Sequence, residues 1–196
     1  MANVVINNLT AGYNDFALAA VGVVKKIDML PMNVGMGLCQ GMMPLVAYNY
    51  AAKNYERMRS ASNYARIAGM GFAGLCIVCF EIFAGPLVKL FISEAETLAY
   101  GIVFLRICCI ATPVMICNFQ MAYTFQAMGK GPQSLLLSAC RQGLINIPLL
   151  FLMNALFGLY GVVWTQLFSD GITLIISFAL YQKVYRGLTA GNEIQA

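Results

Sequence analysis

The sequence contains no histidine and few charged side chains. Only 10% of its 196 residues are Asp, Glu, Lys or Arg, whereas 60% are hydrophobic. A water-soluble domain of this length needs a much larger share of charge on its surface. The absence of histidine argues against a zinc or haem site, for which imidazole is a common ligand. The composition therefore favours a protein that spans a membrane and has no metal cofactor.

The basic residues and the cysteines are spread along the chain and form no cluster. The formal net charge is +4, but a nucleic-acid-binding protein groups its basic residues on one surface. Here they lie at the ends of apolar segments. The seven cysteines all fall inside apolar segments, where they act as small hydrophobic residues. We therefore predict a lipid bilayer as the environment of the chain, and no nucleic-acid partner.

Five apolar segments are long enough to cross a bilayer, which takes about 20 helical residues. Glycine- and proline-containing turns such as MGKGPQ and GLYG separate the later ones. The stretch before the first segment, MANVVINNLT, is too short to span and resembles the last turns of a helix. The predicted fold is an all-α, polytopic transmembrane bundle over residues 1–186, followed by a polar tail at 187–196 that we expect to be cytoplasmic and disordered. The predicted spans cover residues of about 16–48, 61–92, 97–128, 133–157 and 162–185.

Positive charge collects at alternate turns of this arrangement. Basic residues follow the first, third and fifth spans, whereas the opposite turns contain mainly acidic residues or no charge. Cytoplasmic loops of membrane proteins carry an excess of lysine and arginine. The pattern therefore predicts a cytoplasmic C-terminus. The basic residues on that side are Lys53, Arg57, Arg59, Arg66, Lys130, Lys183 and Arg186.

Polar groups at membrane depth are the candidates for chemistry, because they are costly there and usually face the interior of a bundle. Several share one face of a predicted helix at spacings of three or four residues. On the fifth span these are Gln166, Asp170, Thr173 and Ser177. On the third they are Arg106, Pro113, Cys117, Gln120 and Thr124. On the fourth, Gln142 and Asn146 share a face, with Arg141 beside them and Pro148 following.

Each polar group also has a structural interpretation. Asp170 and Arg106 are either structural partners across the bundle or direct contacts for substrate or protons. Lys25 and Asp28 are three residues apart and can neutralise each other. The buried amides more often hold helices together than bind a ligand. The candidate substrate- and ion-binding residues are Asp170, Asp28, Gln120, Gln166, Arg106 and Asn146, with Asp170 preferred to Asp28 because Asp28 already has lysine neighbours.

Two glycine-containing faces also predict close helix packing. Gly37 and Gly41 form one small-xxx-small face, and Gly69 and Ala73 form another.

Three motifs resemble the multidrug and toxic compound extrusion (MATE) family, in the same order and spacing. The first, GLCQGMMPLVAYNYAAKNYERMR, contains Gln40, Gly41, Pro44, Tyr48 and Asn49. The second, FQAMGKGPQSLLLSACRQGLINIPLL, contains Arg141, Gln142 and Pro148. The third is FGLYGVVWTQLFSD. Together they extend over nearly the whole chain.

The resemblance implies a secondary antiporter of two six-helix bundles that expels organic cations and drugs in exchange for H⁺ or Na⁺. It implies a multi-pass protein of the bacterial inner membrane. The chain resembles only the second bundle, beginning within the family's seventh helix and continuing to the twelfth. The N-terminal bundle, which carries an ion-coupling aspartate in many bacterial members, is then a missing partner, and the chain alone is expected to be incomplete.

Three alternatives stay open at this point. A flippase-like relative that moves a lipid-linked saccharide requires a strongly cationic cavity, for which Lys25, Lys26 and Arg106 are the available residues. A membrane-embedded enzyme requires paired carboxylates or a histidine cluster, which the sequence does not suggest. The third alternative is an inactive, truncated fragment.

Overall fold

The structure, a computed structural model, describes residues 2–92 and 94–193, and these residues form helices and short turns without any strand. The predicted all-α class is confirmed. A single π-helical turn, Cys140–Leu144, separates the last two helices. The helices are α1 Ala2–Ala11, α2 Asp15–Ala51, α3 Tyr55–Lys89, α4 Ala95–Ala127, α5 Gly131–Ala139 and α6 Asn146–Glu193.

Three helical stretches of the described residues are long and apolar enough to cross a membrane. They are Tyr55–Lys89, Ala95–Ala127 and the continuous stretch Gly131–Leu188. These contain four of the five predicted spans. The remaining helix, α2, falls outside this set; it carries charges near its start and glycine, asparagine and glutamine further on. The division into five spans therefore stays a prediction.

Asparagine caps set where α2 and α3 begin. The Asn14 side chain accepts a hydrogen bond from the backbone N–H of Phe16 at 3.1 Å, and Asn54 accepts one from that of Arg57 at 3.1 Å. Such caps satisfy N–H groups that have no partner inside the helix. The third helix consequently starts at Tyr55, six residues before the predicted boundary. Arg57 therefore belongs to the first turn of α3, not to a loop.

The chain reverses direction within α6, at the predicted GLYG turn. Gly158 has a φ of 59°, which glycine adopts without steric strain. Gly161 packs so closely on the backbone carbonyl of Met153 that a side chain would not fit. Residues eight apart in a straight helix are about 12 Å apart along its axis, so the close approach of residues 153 and 161 requires the chain to fold back between them. Helix α6 is therefore a hairpin of two antiparallel parts, residues 146–157 and residues 159–193.

The second part of α6 continues to Glu193. Residues 187–193 of the predicted disordered tail are therefore helical, and the rest of that tail, residues 194–196, lies outside the described residues. Glycine and small polar residues suggested a flexible tail, but a helix already stabilised by packing can extend through them.

Helix α4 is the centre of the bundle and packs against α2, α3, α5 and α6. Gly35 of α2 and Gly69 of α3 both lie against Ile116 of α4, so missing side chains allow three helices to meet there. Gly69 is buried, as its predicted contact face requires. No described helix packs on the predicted face at Gly37 and Gly41, because both are exposed with no neighbouring atom within 4 Å, so that face stays a prediction.

Candidate functional site

Asp170 is the centre of a buried polar cluster. Its side chain is 0% exposed, and Arg141 donates from Nε to its Oδ1 at 2.8 Å. Gln166, one turn earlier, donates from Nε2 to its Oδ2 at 2.8 Å. Asn118 of α4 donates to the backbone carbonyl of Asp170 at 2.8 Å and accepts from Ser177 at 3.4 Å. Both carboxylate oxygens are thus satisfied, as burial of a charge requires.

The π-helical turn places Arg141 next to this carboxylate. The backbone N–H of Ile145 donates to the carbonyl of Cys140 at 3.0 Å. This hydrogen bond joins residues five apart, where an α-helix joins residues four apart, so the turn contains one extra residue. π-Bulges often occur at functional sites. The guanidinium carbon of Arg141 lies 4.2 Å from the centroid of the Phe119 ring, within cation–π range. The carboxylate and the aromatic ring together fix the arginine, which is only 13% exposed.

The predicted partnership of Asp170 with Arg106 is wrong. Arg106 pairs instead with Glu81 of α3, Nε to Oε2 at 3.3 Å, and the two side chains are 52% and 43% exposed on the bundle surface. Spacing along a helix identifies residues on one face, but it does not tell which neighbouring helix that face meets. Arg141 was placed beside Gln142 and Asn146 and assigned to the family motif, and the structure makes it the counter-ion of Asp170.

Asp28 lies close enough to Arg141 and Asp170 for their charges to interact. The predicted neutralisation of Asp28 by Lys25 is wrong: Lys25 donates to Asn7 of α1 at 3.4 Å. Among the residues that the structure describes, Asp28 makes no salt bridge. The cluster therefore contains two carboxylates and one guanidinium, with a formal charge of −1.

A cavity of about 30 Å³ adjoins the cluster. Arg141 and Gln142 line it from the π-helical turn, and Asn118 and Thr173 line it from α4 and α6. This volume is about that of one water molecule, so the cavity can hold water or a small ion but not a drug. Asn118 and Phe119 were missed as candidates, although an asparagine deep in an apolar helix is itself a signal.

Gln120 belongs to a separate network that joins α3 to α4. Its Nε2 donates to the carbonyl and to the hydroxyl of Ser62, the carbonyl at 3.1 Å, and the hydroxyl of Thr124 donates back to the carbonyl of Gln120 at 2.7 Å. Its Oε1 is buried and makes no hydrogen bond with described residues. These contacts hold helices together and do not include the Asp170 cluster.

The remaining predicted residues have varied surroundings. Asn146 is buried, and its Oδ1 makes no hydrogen bond with described residues. Gln40 donates to the Tyr123 hydroxyl at 3.3 Å, and Asn49 donates to the Leu45 carbonyl at 2.7 Å. The others lie exposed on the surface of the bundle; they are Gly41, Pro44, Tyr48 and Pro148.

These features define a class of protein. Apolar helices with many exposed leucine, isoleucine and phenylalanine side chains form the outer surface, and a charged cluster is enclosed between them. Intramembrane ionisable groups of this kind mark substrate, ion or proton pathways. The fold and the site are those of a helical membrane protein with a charged cluster inside its helical bundle.

The family is identified by sequence comparison. The MatE family model matches residues 1–152, and the chain belongs to this family. Multidrug export protein MepA of Staphylococcus aureus strain MSSA476 is 31% identical over 190 residues, and MepA of Staphylococcus saprophyticus is 28% identical over 189. Each match covers 96% of this chain and 42% of the relative, in the relative's C-terminal half.

Solved structures agree with the fold. An outward-facing multidrug resistance MATE family transporter of the MOP superfamily superposes with a TM-score of 0.90 at 18% identity. The Vibrio cholerae MATE transporter VcmN in its bent form superposes with a TM-score of 0.89 at 23% identity. Each match covers 96% of this chain and 43% of the solved chain. The chain thus has the fold of less than half of these transporters.

Proposed function

We propose that this chain is one helical bundle of a multidrug efflux transporter that exports organic cations or drugs in exchange for H⁺ or Na⁺. Its staphylococcal relatives are multidrug export proteins. Because the chain spans 42% of their length, the proposed activity includes a second, N-terminal bundle as partner. The observation that carries the proposal is the cluster of the buried Asp170, its partner Arg141 and the half-buried Asp28.

The charge balance of the cluster supports exchange. Arg141 compensates Asp170 directly, whereas Asp28 has no salt-bridge partner among described residues. A cation is therefore needed to make the cluster neutral, and a proton, Na⁺ or a cationic drug near Asp28 meets that need. Two cations that compete for one carboxylate cannot occupy it together, which is the elementary requirement for antiport.

We also propose the reverse order for the two candidate carboxylates. Asp170, preferred on sequence, already has both oxygens engaged by Arg141 and Gln166. We therefore assign the exchanging role to Asp28, and assign to Asp170 the positioning of Arg141. Protonation of Asp28 removes its attraction for the guanidinium, so that Arg141 interacts with Asp170 alone. Cation binding at Asp28 is thereby linked to the strength of the ion pair between Arg141 and Asp170.

We propose that only the cationic group of the drug reaches Asp28, while the rest of the drug lies outside the small cavity beside Arg141. The cavity of about 30 Å³ beside Arg141 admits water or a small ion, whereas drug-sized ligands need about 300–1,000 Å³. We place the drug between this bundle and its partner, where rocking of two bundles gives alternating access. Lys25 and Arg106 are engaged by Asn7 and Glu81, so no observation favours the saccharide-flippase alternative. We propose no enzymatic activity.

We further propose that the protein lies in the bacterial inner membrane with its C-terminus in the cytoplasm. The support is the excess of basic residues at the turn between α2 and α3, at Lys130 and at the end of α6, combined with the positive-inside rule.

Efflux of a fluorescent organic cation tests the proposed function. The chain is produced together with the N-terminal bundle of a MATE relative in cells that lack their own efflux pumps. We expect pH- or Na⁺-dependent efflux that is lost in Asp28→Asn, while Glu81→Gln, which changes an exposed carboxylate paired outside the cluster, keeps most of it. Membrane levels of each variant are measured in parallel. Unchanged efflux in a well-produced Asp28→Asn variant would remove Asp28 from the coupling mechanism.

A further inference from the structure

A second cavity lies away from the charged cluster, between α3, α4 and the second part of α6. It is an open apolar groove of about 530 Å³. Its wall on α6 includes Ile175 and Phe178, which are 72% and 46% exposed. Arg66 of α3 is the charged residue at its edge. The groove is lined by Arg66, Cys117, Met121, Leu174, Ile175 and Phe178, with Ala179 and Gln182 at its far end.

Arg66 has no counter-ion among the residues that the structure describes. Neither of the two salt bridges in this part of the chain involves it, and its Nε is buried without a hydrogen-bond acceptor. The preceding acidic residue of α3, Glu56, lies ten residues away, or about 15 Å along the helix. Two titratable side chains lie near enough to interact electrostatically with Arg66. They are Tyr181 and Cys117, and neither is an acidic residue. The guanidinium therefore lacks an anion.

The groove and the charged cluster lie on nearly opposite sides of α4. Residues two apart on a helix are rotated by about 200°, so Phe119 and Tyr123 point away from Cys117 and Met121. Phe119 contacts Arg141, and Tyr123 contacts Gln40 of α2. The groove is thus separate from the side of the bundle where exchange is proposed, and it opens onto the outer surface of the described helices.

We propose that this groove binds an anionic phospholipid, with the phosphate on Arg66 and one acyl chain along α6. Guanidinium groups bind phosphate through paired, charge-assisted hydrogen bonds, and basic pockets between transmembrane helices bind anionic headgroups. From Leu174 to Gln182 the groove is about 12 Å long, close to the depth of one leaflet of a core about 30 Å thick. Arg59, which stacks over Tyr185 at 5.1 Å on the same side of α3, adds positive charge at the headgroup end. The proposal rests on placement in a membrane, not on antiport.

Lipid competition tests the headgroup. The delipidated chain is mixed in a neutral detergent with equal amounts of dioleoyl phosphatidylglycerol and dioleoyl phosphatidylcholine, and bound lipid is counted by native mass spectrometry. We expect at least tenfold preference for phosphatidylglycerol, falling below twofold in Arg66→Gln. The matched control is Arg106→Gln, which removes an arginine that already has a carboxylate partner and should keep the preference. Equal binding of both lipids, or an Arg66→Gln variant that keeps the preference, overturns the proposal.

Photocrosslinking tests the acyl chain. Phosphatidylglycerol with a diazirine near the end of one acyl chain is incorporated into liposomes with the chain, and labelled residues are mapped by mass spectrometry. We expect labels at residues 174–182 and at Cys117, and loss of these labels in Ala179→Trp, which narrows the groove. The measurement is repeated with the N-terminal bundle present. Labels elsewhere on the surface would show that lipid does not occupy the groove. Loss of the groove labels when the N-terminal bundle is added would show that polypeptide, and not lipid, covers the groove.

Discussion

Replacement of Asp170 by asparagine should destabilise the bundle strongly. The substitution keeps the shape of the side chain but removes its charge, while Arg141 remains 13% exposed and close to the Phe119 ring. The guanidinium then loses its counter-ion, and Gln166 loses a charged acceptor. The perturbation is therefore a buried cation that loses its hydrogen-bonded carboxylate partner and keeps only the longer-range attraction of Asp28, and it is not a cavity.

The size of the effect follows from the burial of the pair. Removal of one partner of a buried ion pair costs about 3–5 kcal/mol. Removal of both leaves no unpaired charge, and apolar residues of similar volume in place of such a pair are often neutral or stabilising. We therefore expect Asp170→Asn and Arg141→Met each to lower the free energy of unfolding by about 3–5 kcal/mol. The double variant, Arg141→Met with Asp170→Leu, should be more stable than either single variant, by at least half of the loss that a single variant shows.

The free energy of unfolding is measured by titration of the purified chain with SDS in mixed micelles. Ser169→Ala is the matched control, because Ser169 is the neighbouring residue, is equally buried and has a hydroxyl without a hydrogen-bond partner among described residues. Loss of an unsatisfied hydroxyl should change stability by less than about 1 kcal/mol. If Asp170→Asn is no worse than Ser169→Ala, or if the effects of the two charge removals simply add, the ion pair does not stabilise the bundle as described.

Three further predictions concern the helical framework. Gly161→Ala should lower the free energy of unfolding by about 1–3 kcal/mol or more, because the added methyl group overlaps the Met153 carbonyl. The control Gly71→Ala, with open space around it, should be neutral or stabilising. Equal SDS-unfolding midpoints for the two variants would contradict the hairpin. Gln120→Leu should cost about 0.6–1.7 kcal/mol, the range for intramembrane side-chain hydrogen bonds, and a stabilised variant would show that the α3–α4 network is not favourable. A green fluorescent protein fused after Arg186 should fluoresce and an alkaline phosphatase fusion there should be inactive, and the reverse result would invert the assigned orientation.

The sequence predicts the helices well because their signals are local. Long apolar segments, a glycine with positive φ at position 158 and the asparagine at 14 act through neighbouring residues, and the structure follows them. The start of α3 was misplaced because Asn54 caps a polar first turn that hydropathy does not detect. Helix position is thus largely encoded within a few residues of each boundary.

The partners inside the site could not be predicted in the same way. Pairing of Arg141 with Asp170 depends on how neighbouring helices are rotated and on the extra residue of the π-helical turn, which has no signature in the sequence. The partner of Lys25 is an asparagine on α1, eighteen residues away. Side-chain spacing therefore gave the right polar residues but assigned them to the wrong neighbours.

The hairpin that reverses at residues 158–161 has a consequence for membrane insertion. Arg141 and Asp170 are only 29 residues apart: Arg141 lies in the π-helical turn just before the first arm of that hairpin, and Asp170 lies on the second arm. Their charges can neutralise each other as soon as both arms leave the translocation machinery, without a charged partner from α2 or α4. Because a lone charge enters hydrocarbon at a high energetic cost, we expect the two arms to partition into lipid as one unit.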